Sequence, residues 1–394
     1  MKLTFRKEDI LDTIRIVNMA ADTGHALPPI LSHLLISTTD DPLSTLFGSA
    51  KDKGIYISAT DMEIGIRASA EGQVISAGSV TIPAKKFVSL IKEMPESEIY
   101  LTTTADDDVN ITCGHAKFRL SGLPSDEFPP LIDRNDRKRE FVPMSANALL
   151  TMIGQTSYAV SRDETRTFLN GVHMSLKDKV IKMAATDGKR LAIAIAIAEL
   201  ETTTEPKQGI IPIKAMDRLR DMLMSSTNVR ICLDTDRAIF DAGDISLVSR
   251  LIDGEYPDYE RVIPSDNHIR LTMRTEKLLS IVRRVGTMAN PKMPGLMMEI
   301  NGDMLKVSAK TAEYGEGYEE TEIKKEGDDI TIGLNAIYLS DALKAIHKDD
   351  IHKDDIHKDE VMISMSDPLK PVLMKPVGND GYICVIMPMR LDSK

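Results

Sequence analysis

The stretch that decides the fold is IKMAATD at residues 181–187, a predicted strand that ends in a Thr-Asp turn. It recurs as IYISATD at 55–61 and as LKVSAKT at 305–311, so the copies are offset by 126 and then 124 residues. A unit that returns at a nearly fixed spacing is the signature of an internal repeat. We therefore predict three diverged copies of one strand-rich domain.

Two strand-to-helix units recur at a similar spacing, with offsets of 139 and 129 residues between the paired apolar positions Ile10-Leu11, Leu149-Leu150 and Leu278-Leu279. The predicted helices lie at 7–19, 145–159 and 275–288 for one unit, and at 84–94, 213–224 and 334–346 for the other. The turns before 84–94 and 213–224 read Pro-Ala and Pro-Ile, whereas a dinucleotide-binding parallel sheet needs a glycine-rich turn. The pattern therefore favours an α+β fold in which two helices per copy pack on antiparallel sheets. Charged, proline-flanked segments predict domain boundaries that give domains 1–136, 137–265 and 266–394.

The composition limits the function classes. Sixty acidic residues against 49 Lys and Arg give a net charge of −11, which disfavours DNA binding unless positive charge gathers on one face. Three widely separated cysteines predict a reducing cytoplasm and indicate neither a disulfide framework nor a zinc site. The longest apolar run, 191–198, is far shorter than a membrane span, and the polar start of the chain predicts no secretory signal.

Motifs for catalysis are missing from the sequence: it contains no P-loop, HExxH or GxSxG, and we expect no cofactor and no metal. Asp61 and Asp187 follow Thr at equivalent repeat positions, which is typical of turns capped by an aspartate side chain. The IHKDD repeat at 346–360 spaces three histidines five residues apart, so neither a helix nor a strand would bring them to one face. We predict that this repeat is a solvated expansion. Two alternatives stay open: an enzyme with its site between repeats, and a scaffold that never meets DNA.

Several predicted helices are basic although the whole chain is acidic. The net charge is +2 over 84–94, +1 over 214–224 and +3 over 274–288, whereas 7–19 carries −1. Positive charge gathered on one helical surface would allow contact with nucleic-acid phosphates. Solvated helix faces share this pattern, so the charge alone does not decide between the two interpretations.

Taken together, these features resemble the bacterial DNA polymerase III beta subunit family, the sliding clamps, over essentially the full length. The most specific matching motifs are ATDGKRL at 185–191, LIDGEYPDY at 251–259 and VIMPMRL at 385–391. The resemblance implies a head-to-tail homodimer that forms a ring around duplex DNA and slides without sequence preference. It also implies that an ATP-dependent loader opens the ring, that the replicative polymerase and other clamp-motif proteins are partners, and that the chain catalyses nothing.

Site residues follow from the same resemblance. Partners of this family insert a hydrophobic-glutamine peptide between the second and third domains. The matching positions here are Leu169, Thr186, Gly188, Arg190, Leu191, Pro257, Arg261, Val262, Val385, Ile386, Met387, Pro388, Met389 and Arg390. The implied DNA-facing residues are Lys85, Lys86, Lys214, Arg218, Arg283 and Arg284. One departure is His25, where the family commonly has Arg, because a neutral imidazole would weaken a phosphate contact near pH 7.

Overall fold

The computed structural model describes residues 1–21, 28–38, 54–131, 139–198, 206–347 and 360–391. The predicted phosphate contact of His25 and residues 348–359 of the IHKDD repeat lie outside these ranges. Within them the chain forms six α-helices: α1 (Lys7–Asn18), α2 (Ala84–Glu93), α3 (Ala146–Thr156), α4 (Ile213–Leu223), α5 (Thr275–Gly286) and α6 (Ala336–His347).

The described residues also form 26 β-strands, and every strand pair is antiparallel. The strands of the first half are β1 (Lys2–Arg6), β2 (His33–Ser37), β3 (Ile55–Thr60), β4 (Ile64–Ala70), β5 (Gln73–Ser76), β6 (Ser79–Pro83), β7 (Glu98–Thr103), β8 (Asp108–Cys113), β9 (Ala116–Ser121), β10 (Val142–Ser145), β11 (Gly171–Lys177), β12 (Val180–Thr186) and β13 (Arg190–Ile197). Those of the second half are β14 (Lys207–Pro212), β15 (Asn228–Leu233), β16 (Arg237–Asp241), β17 (Ile245–Arg250), β18 (Ile269–Arg274), β19 (Gly295–Asn301), β20 (Met304–Thr311), β21 (Gly315–Glu322), β22 (Lys324–Glu326), β23 (Ile330–Asn335), β24 (Glu360–Met365), β25 (Val372–Pro376) and β26 (Tyr382–Ile386).

The chain divides into two compact units. Unit 1 comprises the described residues of Met1–Asn147, Ala198–Glu201 and Lys214–Leu251. Its two sheets have the strand orders β5-β1-β7-β8-β9 and β10-β15-β16-β17-β4-β3-β2-β6. Helices α1 and α2 pack against each other within this unit.

Unit 2 comprises the described residues of Ala148–Ile197, Thr202–Ile213 and Ile252–Lys394. Its sheets have the orders β14-β11-β12-β13-β26-β25-β24-β18-β22 and β21-β20-β19-β23. Helices α5 and α6 pack against each other here. The larger sheet places the C-terminal strand β26 directly beside β13, and this pairing positions the site described below.

The helices form because their apolar residues recur at helical spacing. In α1 the fully buried Ile10, Ile14 and Val17 follow the i, i+4, i+7 pattern that faces a sheet. In the strands, alternate residues enter the cores, as Ile99 and Leu101 do in β7. Among the described residues, no helix combines the length and apolar character needed to cross a membrane.

Candidate functional site

A tight turn between β12 and β13 forms the first of three walls of the candidate site, at one end of it. The Thr186 hydroxyl donates to the carbonyl oxygen of Arg190 at 2.6 Å and accepts from the Gly188 N–H at 3.0 Å. The Asp187 carboxylate accepts from the N–H groups of Lys189 (2.9 Å) and Arg190 (3.0 Å). Gly188 has a φ of +87°, which a residue without Cβ adopts at little cost. The sequence TDGK therefore fixes the turn through its own side chains.

Strand pairing supplies the second wall. Leu191 of β13 lies opposite Val385 of β26, and both are buried in one apolar cluster. Beyond the end of β26, the Met387 N–H donates to the Lys189 carbonyl oxygen at 2.9 Å. The backbone at residue 387 is thereby held against the turn, although the Met387 residue keeps 41% of its surface exposed.

An aromatic cluster supports the third wall. The Tyr256 hydroxyl accepts from the Thr186 N–H at 3.0 Å, and its ring stacks on His173 with centroids 5.0 Å apart. Tyr259 meets both rings edge-on, at 5.9 Å from His173 and 6.1 Å from Tyr256. Burial lowers the pKa of His173, raises the pKa of Tyr256 well above its usual range, and raises the pKa of Tyr259 to about 12. Both phenols therefore stay protonated at neutral pH.

The three walls enclose a cavity of about 390 Å³, a volume within the range of small-ligand and peptide-side-chain pockets. All of its lining residues belong to unit 2. They are Arg166, Phe168, Leu169, Thr186, Gly188, Lys189, Arg190, Leu191, Pro257, Asp258, Tyr259, Val262, Val385 and Met387. The wall is mainly apolar and suits an apolar side chain of a ligand.

Arg190 has its charge neutralised inside the protein. Its guanidinium contacts the Asp187 carboxylate at 3.1 Å and the Asp341 carboxylate at 3.0 Å. It also lies over the ring of Tyr338, 4.4 Å from the centroid, and 5.2 Å from that of Tyr158. Only 11% of the side chain is exposed. A ligand in the cavity therefore meets an arginine whose charge is balanced by two carboxylates and whose Nε and Nη1 already donate to them.

The two Thr-Asp pairs form turns, as the sequence predicted. The Asp61 carboxylate accepts from the N–H groups of Glu63 and Ile64, as Asp187 does from the equivalent groups of its own turn. Both aspartates also hold a basic side chain, Lys214 for Asp61 and Arg190 for Asp187. These contacts explain the repeated aspartates without catalysis.

The six predicted DNA-facing residues differ in their surroundings. Lys85 and Lys86 are exposed on α2, and Arg283 is exposed on α5. Arg284, its neighbour, forms two hydrogen bonds to the Glu319 carboxylate, at 3.0 and 2.7 Å. On α4, Lys214 is paired with Asp61, and the half-buried Arg218 has a buried Nε without a hydrogen-bond partner in the described part of the chain.

Comparison with known protein families identifies the family of this chain. Three family models match in order along the chain: the N-terminal domain of the DNA polymerase III beta subunit at 1–133, its central domain at 143–258 and its C-terminal domain at 260–390. The chain belongs to the DNA polymerase III beta subunit family. The predicted α+β clamp fold with three repeated domains is thereby confirmed.

Relatives in this family match nearly the whole chain. A beta sliding clamp of Chlamydia pneumoniae is 29% identical over 391 residues, covering 99% of both chains. One of Staphylococcus epidermidis is 30% identical over 387 residues, covering 95% of this chain and 97% of the relative. Among solved structures, the beta sliding clamp of C. crescentus is 27% identical, covers 99% of this chain and all of its own, and has a TM-score of 0.87. A Pseudomonas aeruginosa clamp solved bound to griselimycin is 25% identical with the same coverage and a TM-score of 0.88.

Nine of the fourteen residues predicted from the family for the peptide pocket lie on the cavity wall. They are Leu169, Thr186, Gly188, Arg190, Leu191, Pro257, Val262, Val385 and Met387. They come from three segments, 169–191, 257–262 and 385–387, that are distant in sequence and meet through the β13–β26 pair and the Tyr256 hydrogen bond.

The remaining five do not line the cavity. Ile386 alternates with Val385 along β26 and therefore faces the other side of the sheet, where it is fully buried. Arg261 points to solvent and pairs with Asp258 at 2.7 Å. Met389 is held by a hydrogen bond from its N–H to the Gly333 carbonyl oxygen at 2.8 Å. Pro388 and Arg390 lie in the same C-terminal segment, beyond the cavity wall.

Five wall residues were missed by the sequence reasoning: Arg166, Phe168, Lys189, Asp258 and Tyr259. Each lies within three residues of a predicted one, so the segments were found but not every side chain that faces the cavity. Tyr259 depends on its ring contact with His173, which no local pattern reveals.

Proposed function

We propose that this chain forms a ring-shaped homodimer that encircles duplex DNA and tethers the replicative polymerase and other clamp-motif proteins. It acts without catalysis and without a cofactor, in the cytoplasm where the bacterial chromosome lies, and an ATP-dependent loader opens it. The domains are 1–136, 137–265 and 266–394. The observation that carries the proposal is the ordered match of all three beta subunit domain models along one chain.

The cavity in unit 2 is the part of the molecule proposed to hold partners. Its volume of about 390 Å³ accommodates one or two apolar side chains of a hydrophobic-glutamine peptide. Met387 at its rim is an unbranched, polarisable side chain that adapts to different apolar ligands. One pocket can therefore serve several partners that share a short motif.

The basic helix faces are the part proposed to meet DNA. Lys85, Lys86 and Arg283 are exposed and so can approach phosphates, directly or through water. The net charge of −11 leaves the remaining surface acidic, which disfavours DNA binding elsewhere. Enclosure by a ring, rather than affinity, then keeps the clamp on DNA.

The deciding experiment measures retention on nicked circular DNA. Clamp, loader and ATP are incubated with the circle, washed at high salt, and assayed again after the DNA has been linearised. Contacts to phosphate weaken steeply with salt, whereas a closed ring leaves only over a free end. We expect retention on the circle and loss after cutting. Equal behaviour on both forms, with a loader shown to be active on another clamp, would overturn the proposal.

A charge-reversed variant distinguishes the clamp from a protein-only scaffold. Lys85→Glu, Lys86→Glu and Arg283→Glu together should reduce loading on the circle while the fold and peptide binding persist. A scaffold that never meets DNA would lose nothing in any assay of its activity.

A further inference from the structure

Unit 1 contains a second copy of the turn that forms the candidate site. The Thr60 hydroxyl donates to the Ile64 carbonyl oxygen at 2.9 Å and accepts from the Met62 N–H at 3.0 Å. The Asp61 carboxylate accepts from the N–H groups of Glu63 at 3.0 Å and Ile64 at 2.7 Å. Each of these four hydrogen bonds has its counterpart 126 residues later, between the same backbone and side-chain atoms.

The strand beside this turn is copied as well. Gly65 of β4 lies opposite Val248 of β17, as Leu191 lies opposite Val385 in unit 2. The Arg250 N–H donates to the Glu63 carbonyl oxygen at 2.8 Å, in the same register as the bond at the end of β26. The duplication therefore reproduced, within unit 1, the turn and the strand pair that form two walls of the groove.

The copied groove is nearly filled, with a free volume of about 60 Å³. The filling side chain is Leu131, which packs on a buried cluster that includes Val248. A Cβ at Gly65 would lie 2.5 Å from the Leu131 Cδ2, so the leucine occupies the space above the strand. The Leu131 carbonyl oxygen also accepts a 3.4 Å hydrogen bond from Arg237.

The counterpart of Leu131 explains why only one groove is open. Phe128-Pro129 is answered 128 residues later by Tyr256-Pro257. The same offset makes Tyr259 the equivalent of Leu131. The Tyr259 ring is held in the wall of its groove by edge-on contacts with Tyr256 and His173. A leucine makes no such ring contact and instead takes the apolar space of the groove itself.

We propose that Leu131 is a built-in plug that closes a second peptide groove to hydrophobic peptides. The plug limits each protomer to one partner at the unit 2 site, a consequence that rests on the proposed function. The ligand that this groove would take is an apolar peptide side chain, because the apolar side chain of Leu131 already occupies the same space.

The test compares wild type with Leu131→Ala in the full-length protein. The probe is a hydrophobic-glutamine peptide, and the stoichiometry is measured by calorimetry. Wild type should bind one peptide per protomer. Leu131→Ala should bind a second peptide with an affinity about 10-fold or more below that of the first site, which should itself be unchanged. The plug would be overturned by a folded Leu131→Ala protein that still binds one peptide per protomer and also gains no binding site for the apolar dye used in the second measurement, described next.

A second measurement distinguishes failure of the Leu131 plug from failure of the proposed partner pocket in unit 2. An apolar fluorescent dye is titrated into the same pair of proteins, with Leu120→Ala, away from the groove, as the substitution control. Leu131→Ala should gain one dye site per protomer and the control none. If wild type binds no peptide but Leu131→Ala gains the dye site, the proposed partner pocket fails and the plug stands. Equal dye binding by both variants, without a second peptide site, would refute the plug whatever wild type does.

Discussion

Arg190 and Asp341 are joined by an ion pair of 3.0 Å between the guanidinium Nη1 and the carboxylate Oδ2, across 151 residues of sequence. The contact connects the first residue of β13, at the cavity wall, with the middle of α6. Because Arg190 also holds Asp187, the pair links the helix to the turn that shapes one end of the cavity. This connection within unit 2 suggests the first test.

Replacing Asp341 with Asn should loosen the cavity wall. Removing the charge from a mostly buried partner leaves the Arg190 guanidinium less well satisfied, and we expect a loss of about 1–2 kcal/mol in the free energy of unfolding. Asp266→Asn is the matched control, because its 2.9 Å pair with Lys370 is solvent-exposed and should leave the unfolding midpoint unchanged. Denaturant unfolding measures both, and equal effects would contradict the assigned importance of the Asp341 contact.

Met387→Ala should weaken peptide binding about 10-fold, because apolar contact area at the cavity wall is lost. The hydrogen bond of residue 387 to the Lys189 carbonyl oxygen uses the backbone, so the substitution keeps the C-terminal segment in place. Fluorescence anisotropy with a labelled peptide gives the dissociation constant, and retention on circular DNA serves as the control for an intact ring. Unchanged affinity in a folded variant would remove Met387 from the partner site.

Two glycines should respond to alanine in opposite directions. At Gly171 an added Cβ would meet the carbonyl oxygen of Ile211 on the neighbouring strand, so Gly171→Ala should destabilise unit 2 by at least about 2 kcal/mol. Gly154 is exposed in α3 with no atom near its would-be Cβ, so Gly154→Ala should stabilise by about 0.5–1 kcal/mol through helix propensity. Thermal unfolding of both variants beside wild type checks the signs, and a Gly171→Ala protein as stable as wild type would be the contrary result.

The internal repeat predicted all six α-helices of the described residues, and the differences from the structure have local causes. The predicted helix at 334–346 begins at Ala336, because the Asn335 side chain accepts the N–H groups of Ile337 and Tyr338 and so caps the first turn. The predicted helix at 145–159 ends as an α-helix at Thr156 and continues as a 3-10 turn. Periodicity identifies a helix, but side-chain capping sets where it begins.

The cavity could be predicted only in part, because its walls depend on contacts across the sequence. The motifs supplied the residues near 186–191, 257–262 and 385–391, since each is a continuous segment. The ring contact between Tyr259 and His173 and the contact of Leu131 above Gly65 join residues far apart in sequence. Neither leaves a local pattern.

Stability should fall as the pH is lowered below about 6.5. Burial lowers the pKa of both His173 and His33 in the folded protein, so the unfolded chain binds protons more readily and the folded state loses stability once the pH passes below the ordinary histidine value. His173→Phe keeps an aromatic ring beside Tyr256 but cannot titrate, so part of the pH dependence between 7.5 and 5.5 should vanish. Thermal midpoints at the two pH values measure it, with His33→Gln as the parallel case in unit 1. A slope that both variants leave intact would mean that other groups cause it.

Arg283 and Arg284 are neighbours on α5 that should contribute unequally to DNA binding. Arg284 is held by two hydrogen bonds to Glu319, so its charge is already compensated, whereas Arg283 is exposed and has no hydrogen bond or ion pair within the described residues. Each phosphate contact contributes about one unit to the slope of log affinity against log salt. Arg283→Ala should therefore lower this slope for a linear duplex by about one, and Arg284→Ala by clearly less. The two variants serve as controls for each other, since they remove the same side chain one position apart. Equal slopes would show that Glu319 does not shield its partner, and a larger effect at Arg284 would mean that the ion pair opens when DNA is present.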